Sequence, residues 1–115
     1  MADIKRRVHI GVIGAGDCST EAARLAYDVG RHIALNNAVL FCGGLGGVME
    51  LAAKGAREAG GLTVGLLPGF EFGDANPYID IAIPTGLSHA RNMLVVRAAM
   101  ALIAVEGSYG TLSEI

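Results

Sequence analysis

An α/β domain built on a parallel sheet is what this sequence predicts, and three observations carry that prediction. Five short apolar runs alternate with stretches long enough to be helices, the pattern of strand–helix–strand units. The runs are apolar at consecutive positions, as in strands buried on both faces. Glycine is abundant, at 17 residues, and it gathers behind strands and at helix ends instead of in one low-complexity tract.

The elements follow in order. Val8 to Ile13 reads as the first strand, and the loop Gly14-Ala15-Gly16-Asp17-Cys18-Ser19 follows it. Glu21 to about Asn36 is a helix with Ala22, Leu25, Ala26, Val29, Ile33 and Ala34 on one stripe. Ser19 or Thr20 is placed to cap it, and Asn36-Asn37 end it. Ala38 to Cys42 is the second strand. A glycine loop, 43–47, leads into a helix over Val48 to Ala59, whose inner stripe of small residues predicts a close approach to the sheet. Leu62 to Leu67 is the third strand, stopped by Pro68-Gly69. Residues 68–78 form a long loop with two phenylalanines. Ile79 to Ile83 is a short fourth strand, marked as an edge by an outward Asp80. Ser88 is expected to cap a helix over His89 to Met100, and Ala101 to Val105 is the fifth strand.

The fold class is therefore α/β, a doubly wound, Rossmann-like parallel sheet in a single domain over residues 1–115. In the strand order 4-3-2-1-5, strands one and five meet at the switch point, where open sheets bind ligands. The chain stops at Ile115, just as a helix after strand five begins. The expectation is a domain truncated after its fifth strand, or one whose open edge a partner chain covers, which makes a homodimer or higher oligomer the expected state.

Composition narrows the function classes. Hydrophobic residues make up 52% and charged residues 17%, a globular balance. No apolar run is long enough to span a bilayer, and the charged N-terminus lacks a signal peptide's apolar core, so a cytoplasmic protein without membrane contact is expected. A net charge of -2 gives no broad surface for nucleic acid. Cys18 and Cys42 read as reduced thiols. His9, His32 and His89 lack ligand spacing, so no metal is expected.

Three glycine-rich loops follow apolar strands: 14–19, 43–47 and 107–111. A strand, a glycine loop and a helix start present backbone N–H groups to an anion. Gly14, Ala15, Ser19, Gly43, Gly44, Gly46, Gly47, Gly107, Ser108, Tyr109, Gly110 and Thr111 are thus the candidate ligand-binding residues, lining one site for a phosphorylated small molecule. A dinucleotide-binding fingerprint is disfavoured. The glycines of Gly11-Val12-Ile13-Gly14-Ala15-Gly16 are wrongly spaced, and strand two does not end in an acidic residue.

Two segments give the chain a family likeness. The run Glu106-Gly107-Ser108-Tyr109-Gly110-Thr111-Leu112-Ser113-Glu114 resembles PGGxGTxxE, the hallmark of the LOG family of phosphoribohydrolases, long mislabelled lysine decarboxylases. Arg91-Asn92 stands where that family pairs an arginine with a lysine. The runs Cys42 to Glu50 and Thr85 to Asn92 look more like a related branch that includes molybdenum cofactor carrier proteins.

That resemblance implies Arg91 and Glu114 as a catalytic pair for hydrolysis of the N-glycosidic bond of a nucleoside 5′-monophosphate, with Asn92 at the ligand. Such chemistry passes through an oxocarbenium-like transition state that a carboxylate stabilises. It equally implies a non-catalytic carrier of a phosphorylated pterin. No cofactor is required by either, and a bound nucleotide or molybdenum cofactor is the implied ligand. A DNA-processing relative is the weakest option. Three departures disfavour turnover: Glu106 in place of proline, Ser108 in place of glycine, and Asn92 in place of lysine. A carboxylate beside a phosphate cradle repels its ligand, and the loss of lysine removes a positive charge. Glu114 also has a purely structural role open to it, since an acidic side chain near a helix N-terminus is stabilising by about 0.3–1 kcal/mol. Arg91 in a first helical turn gains nothing of that kind, which points it toward a ligand.

Overall fold

Residues 6–105 are described by the structure, a computed structural model. The first strand, β1, is His9–Gly14, and helix α1 is Thr20–Leu35. Strand β2 is Val39–Cys42, α2 is Val48–Glu58, and β3 is Leu62–Leu67. A 3-10 turn at Phe72–Asp74 precedes β4, Ile81–Pro84. A second such turn, Ser88–Ala90, runs into α3, Arg91–Ala98, and β5 is Ala101–Val105. All pairings are parallel, in the order β4-β3-β2-β1-β5. The expected sheet is present, with the strand order reversing between β1 and β5.

Right-handed crossovers set the layers. The chain steps from β1 to β4 in one direction, so α1 and α2 share a face. It steps back to β5 through α3, which covers the other. The core divides accordingly. Val12, Leu40, Val48, Ala22, Ala26 and Ala52 fill the first face. Ile13, Leu66 and Val95, with Phe41 and Leu102 packed against them, fill the second. Neighbouring residues of one strand, Val12 and Ile13, are buried on opposite faces, which is why the strand runs are continuously apolar.

The small residues of α2 act somewhat differently from the expectation. They bring α2 against α1 as well as against the sheet. A Cβ on Gly55 would lie 2.1 Å from the Tyr27 carbonyl oxygen, and one on Gly30 would lie 1.9 Å from the Ala52 carbonyl oxygen. Each helix thus presents a glycine to the other's backbone.

Several boundaries depart from the sequence-based expectation, most of those below for a long-range reason. The strand expected from Ile79 begins at Ile81. β4 is an edge strand, as Asp80 suggested, but Asp80 stands just before it and is tied to β3. Its carboxylate accepts the Thr63 N–H at 3.0 Å and pairs with Arg57 at 2.8 Å, while its own N–H donates to the Thr63 hydroxyl at 2.8 Å. Ser88 does not cap α3. It has a φ of 54° and its N–H donates to the Pro68 carbonyl at 2.9 Å, and no side chain caps that helix. The helix ends at Ala98, short of Met100, because the Met100 N–H donates to His9 O at 2.8 Å and starts the pairing of β5 with β1. Strand β2 begins at Val39, since the Ala38 N–H still donates to Ile33 O at the end of α1.

Among the described residues no helix is long and apolar enough to cross a membrane. A cleft of about 510 Å³ lies beside α1 at the N-terminal edge of the sheet, lined by Val8, Ile10, Leu25, Val29, Ile33 and Ile103.

Candidate functional site

The C-terminal edge of the sheet carries the candidate site. In a parallel sheet the loops after all strands emerge there, and the register brings Gly14, the last residue of β1, opposite Val105, the last of β5. The loop after β1 and the loop after β2 are laced together. The Val48 N–H donates to Ala15 O at 3.1 Å. A Cβ on Gly14 would lie 2.6 Å from a Val48 methyl, so only glycine lets the loop reach α2 this closely. Gly47 combines a φ of 65° with an approach to Ala15 O that a Cβ would reduce to 2.4 Å. Gly44, at φ 78°, is the other left-handed residue in this loop. Ser19 caps α1, its hydroxyl accepting the Ala22 N–H at 3.1 Å.

Asn76, from the long loop after β3, holds the glycine loop from its far side. Its side-chain NH2 donates to Leu45 O at 2.8 Å and to Gly44 O at 3.3 Å, and its backbone N–H donates to Gly44 O at 2.9 Å. Its Oδ1 accepts the Tyr78 N–H at 3.0 Å, which closes an Asx turn. The N–H groups of Leu45 and Gly46 donate to no carbonyl among the described residues. No side chain caps the N-terminus of α2, which starts directly after Gly47. Backbone donors in this arrangement, at a helix N-terminus, form an anion-binding concavity.

Arg91 opens α3 and is only 6% exposed. Its guanidinium packs against Gly43, so that a Cβ there would lie 2.8 Å from Nη2. Nη1 donates to Asn92 Oδ1. Asn92 thus acts on the arginine, whatever it does for a ligand. His89 and Arg97 are exposed. The expected site residues Gly14, Ala15, Gly43, Gly44, Gly46, Gly47, Arg91 and Asn92 meet along this edge, with Ser19 at the start of α1. Gly107, Ser108, Tyr109, Gly110, Thr111 and Glu114 lie outside the described residues. Asn76 went unrecognised in the sequence, although Asn76-Pro77 is a turn signal that marks where such a residue would lie.

Cys42 ends β2 directly beneath the glycine loop, and both cysteines are free thiols. Complete burial pushes the Cys42 thiol up to about 11, against which a backbone hydrogen bond from Gly44 and the Arg91 charge pull only partly. At neutral pH it is a protonated, unreactive group. Its folded-state pKa lies above the unfolded value of 9.0, so the unfolded chain loses this proton first as pH rises. Stability therefore falls between about pH 9 and 11, with a limiting slope of roughly 1.4 kcal/mol per pH unit. Urea titrations across that range should show this slope in the wild type and lose it in Cys42→Ala.

The profile of the SLOG cluster4 family matches residues 7–115. The chain belongs to the SLOG cluster4 family. Within this LOG-like group it falls on the branch of the molybdenum cofactor carriers. It is 42% identical to the molybdenum cofactor binding protein of the phototrophic bacterium Rippkaea orientalis, with a TM-score of 0.91 over 95% of this chain and 68% of that one. It is 38% identical to the molybdenum cofactor carrier protein of Chlamydomonas reinhardtii, with a TM-score of 0.86 over 95% of this chain and 68% of that one. An uncharacterized protein of Archaeoglobus fulgidus is 53% identical over 94% of this chain and 71% of its own length. The DNA processing protein A of Streptococcus pneumoniae shares the fold alone, at 19% identity and a TM-score of 0.76 over 94% of this chain and 45% of that one. SLOG cluster4 membership agrees with the likeness carried by the two glycine motifs and Arg91-Asn92.

Proposed function

We propose that this chain binds a phosphorylated pterin, molybdenum cofactor, at the C-terminal edge of its sheet and carries it without chemical turnover. The observation that carries the proposal is the buried Arg91 guanidinium set against a glycine loop whose Leu45 and Gly46 N–H groups have no carbonyl partner among the described residues. Such a site holds a phosphate by charge-assisted hydrogen bonds and leaves the rest of the ligand intact. The likeness to two proteins described as binding or carrying this cofactor, at 42% and 38% identity, supports the pterin over a nucleotide. Asn92 in place of the lysine of the phosphoribohydrolases, together with Glu106 and Ser108 in the hallmark run, disfavours glycosidic hydrolysis.

The test sets the two activities side by side. The protein is incubated with molybdenum cofactor released from a heat-treated molybdoenzyme, passed through gel filtration, and assayed for retained pterin by fluorescence after oxidation. A second sample is incubated with AMP and assayed for free adenine. Retained pterin without adenine release is the expected result. Adenine release with no retained pterin would replace the carrier by a phosphoribohydrolase.

A further inference from the structure

We infer that Asn76 is the positioning residue that aims the glycine loop's donors at the ligand, an inference that rests on the phosphate site proposed above. The argument starts from the peptide unit. It is planar and trans, so its C=O and N–H point in opposite directions. The C=O of Gly44 belongs to the same plane as the N–H of Leu45, and the C=O of Leu45 to the same plane as the N–H of Gly46. Asn76 holds both of these oxygens, with donors at 2.8–3.3 Å from its side chain and at 2.9 Å from its backbone. Two adjacent peptide planes are thereby locked, and their N–H groups are turned away from Asn76.

Those two N–H groups have no carbonyl acceptor among the described residues, as is true of the Gly47, Met49 and Glu50 N–H groups that follow them. The loop needs such a lock because Gly44 and Gly46 leave its backbone otherwise free to rotate. Asn76 is itself fixed. It is buried, its Oδ1 is bonded to Tyr78, and the Thr63 hydroxyl holds the Tyr78 carbonyl at 2.6 Å. The orientation of the phosphate donors is therefore referred back to β3. No other side chain type does this in the same space. Aspartate lacks the NH2 donors and would set its charge against two carbonyl oxygens.

The test is an amide-resolved NMR titration with inorganic phosphate on wild type, Asn76→Ala and Asn76→Asp. In wild type the Leu45 and Gly46 amide protons move downfield as phosphate binds. Both variants bind at least tenfold more weakly, and at saturation the downfield movement of these two amides shrinks while the Gly16 amide still responds. A purely structural role would lower the melting temperature and leave the saturated shifts of Leu45 and Gly46 unchanged, which overturns the inference. Equal affinity and equal shifts in variant and wild type overturn it as well. Wild type with no response anywhere in residues 43–47 removes the phosphate site itself, and the inference with it. If neither variant folds, the wild type decides alone. Hydrogen-bond couplings from the Asn76 side-chain nitrogen to the Gly44 and Leu45 carbonyl carbons persist with phosphate bound if Asn76 positions the loop, and their loss on binding shows that it does not.

Discussion

Replacing Arg91 with methionine is expected to weaken cofactor binding about a hundredfold while leaving the fold in place. The side chain is 6% exposed and its guanidinium lies against Gly43. A planar fork in that position makes two parallel bonds to a phosphate, and each hydrogen bond to a charged group contributes about 1.5–3 kcal/mol. Taking the lower figure twice, the loss is about 3 kcal/mol, where 1.4 kcal/mol is a factor of ten. Methionine fills the volume of the aliphatic stem, so the packing of α3 on the sheet survives. Lysine keeps the charge and loses the fork, and a loss of roughly tenfold is expected from Arg91→Lys. Titration of the cofactor into the variants, with thermal melts to show that they fold, checks both figures. Binding within threefold of wild type in Arg91→Met would remove Arg91 from the site.

The second large effect is on stability. Gly55→Ala should cost about 2 kcal/mol or more, and Gly55→Val should prevent folding. Alanine is a better helix former than glycine by about 1 kcal/mol, so an isolated helix would be strengthened. Here the new methyl would stand 2.1 Å from the Tyr27 carbonyl oxygen, and the neighbour is backbone, which cannot rotate aside. The two helices must separate, and this opens the core at Ala26, Ala52 and Ala56. Gly30→Ala should behave in the same way, with the Ala52 carbonyl oxygen at 1.9 Å from the new Cβ. Gly73→Ala is the control. It has open space around it and no positive φ, and a change within about 0.5 kcal/mol is expected. Chemical denaturation of the four variants measures these differences.

Much of this architecture is legible in the residues alone, because the features that set it are local. Continuous apolar runs mark buried parallel strands, and Val12 and Ile13 show why, one facing each layer of helices. Glycines behind strands mark the candidate ligand edge, and Gly44 and Gly47 do adopt left-handed angles there. Arg91 stood out as a candidate because a cation in the first turn of a helix has no electrostatic reason to be there. The features that stayed hidden depend on contacts between distant residues. Asp80 looks like a guard on an edge strand until Thr63 and Arg57 are seen to hold it. Ser88 has the chemistry of a helix cap, but pairing with Pro68 draws it into another conformation. Asn76 lies 31 or more positions from the carbonyls it holds, and no local pattern reports that. The small residues of α2 suggested a close approach to the sheet, but the partner at Gly55 is α1, which no helical periodicity could name.

A crystal structure of the protein loaded with molybdenum cofactor tests the central claim most directly. The phosphate should lie within hydrogen-bond distance of the Leu45 and Gly46 amides and of the Arg91 guanidinium, at the C-terminal edge of the sheet. A cofactor found instead in the apolar cleft beside α1, or bound with its phosphate turned to solvent and Arg91 untouched, would contradict it.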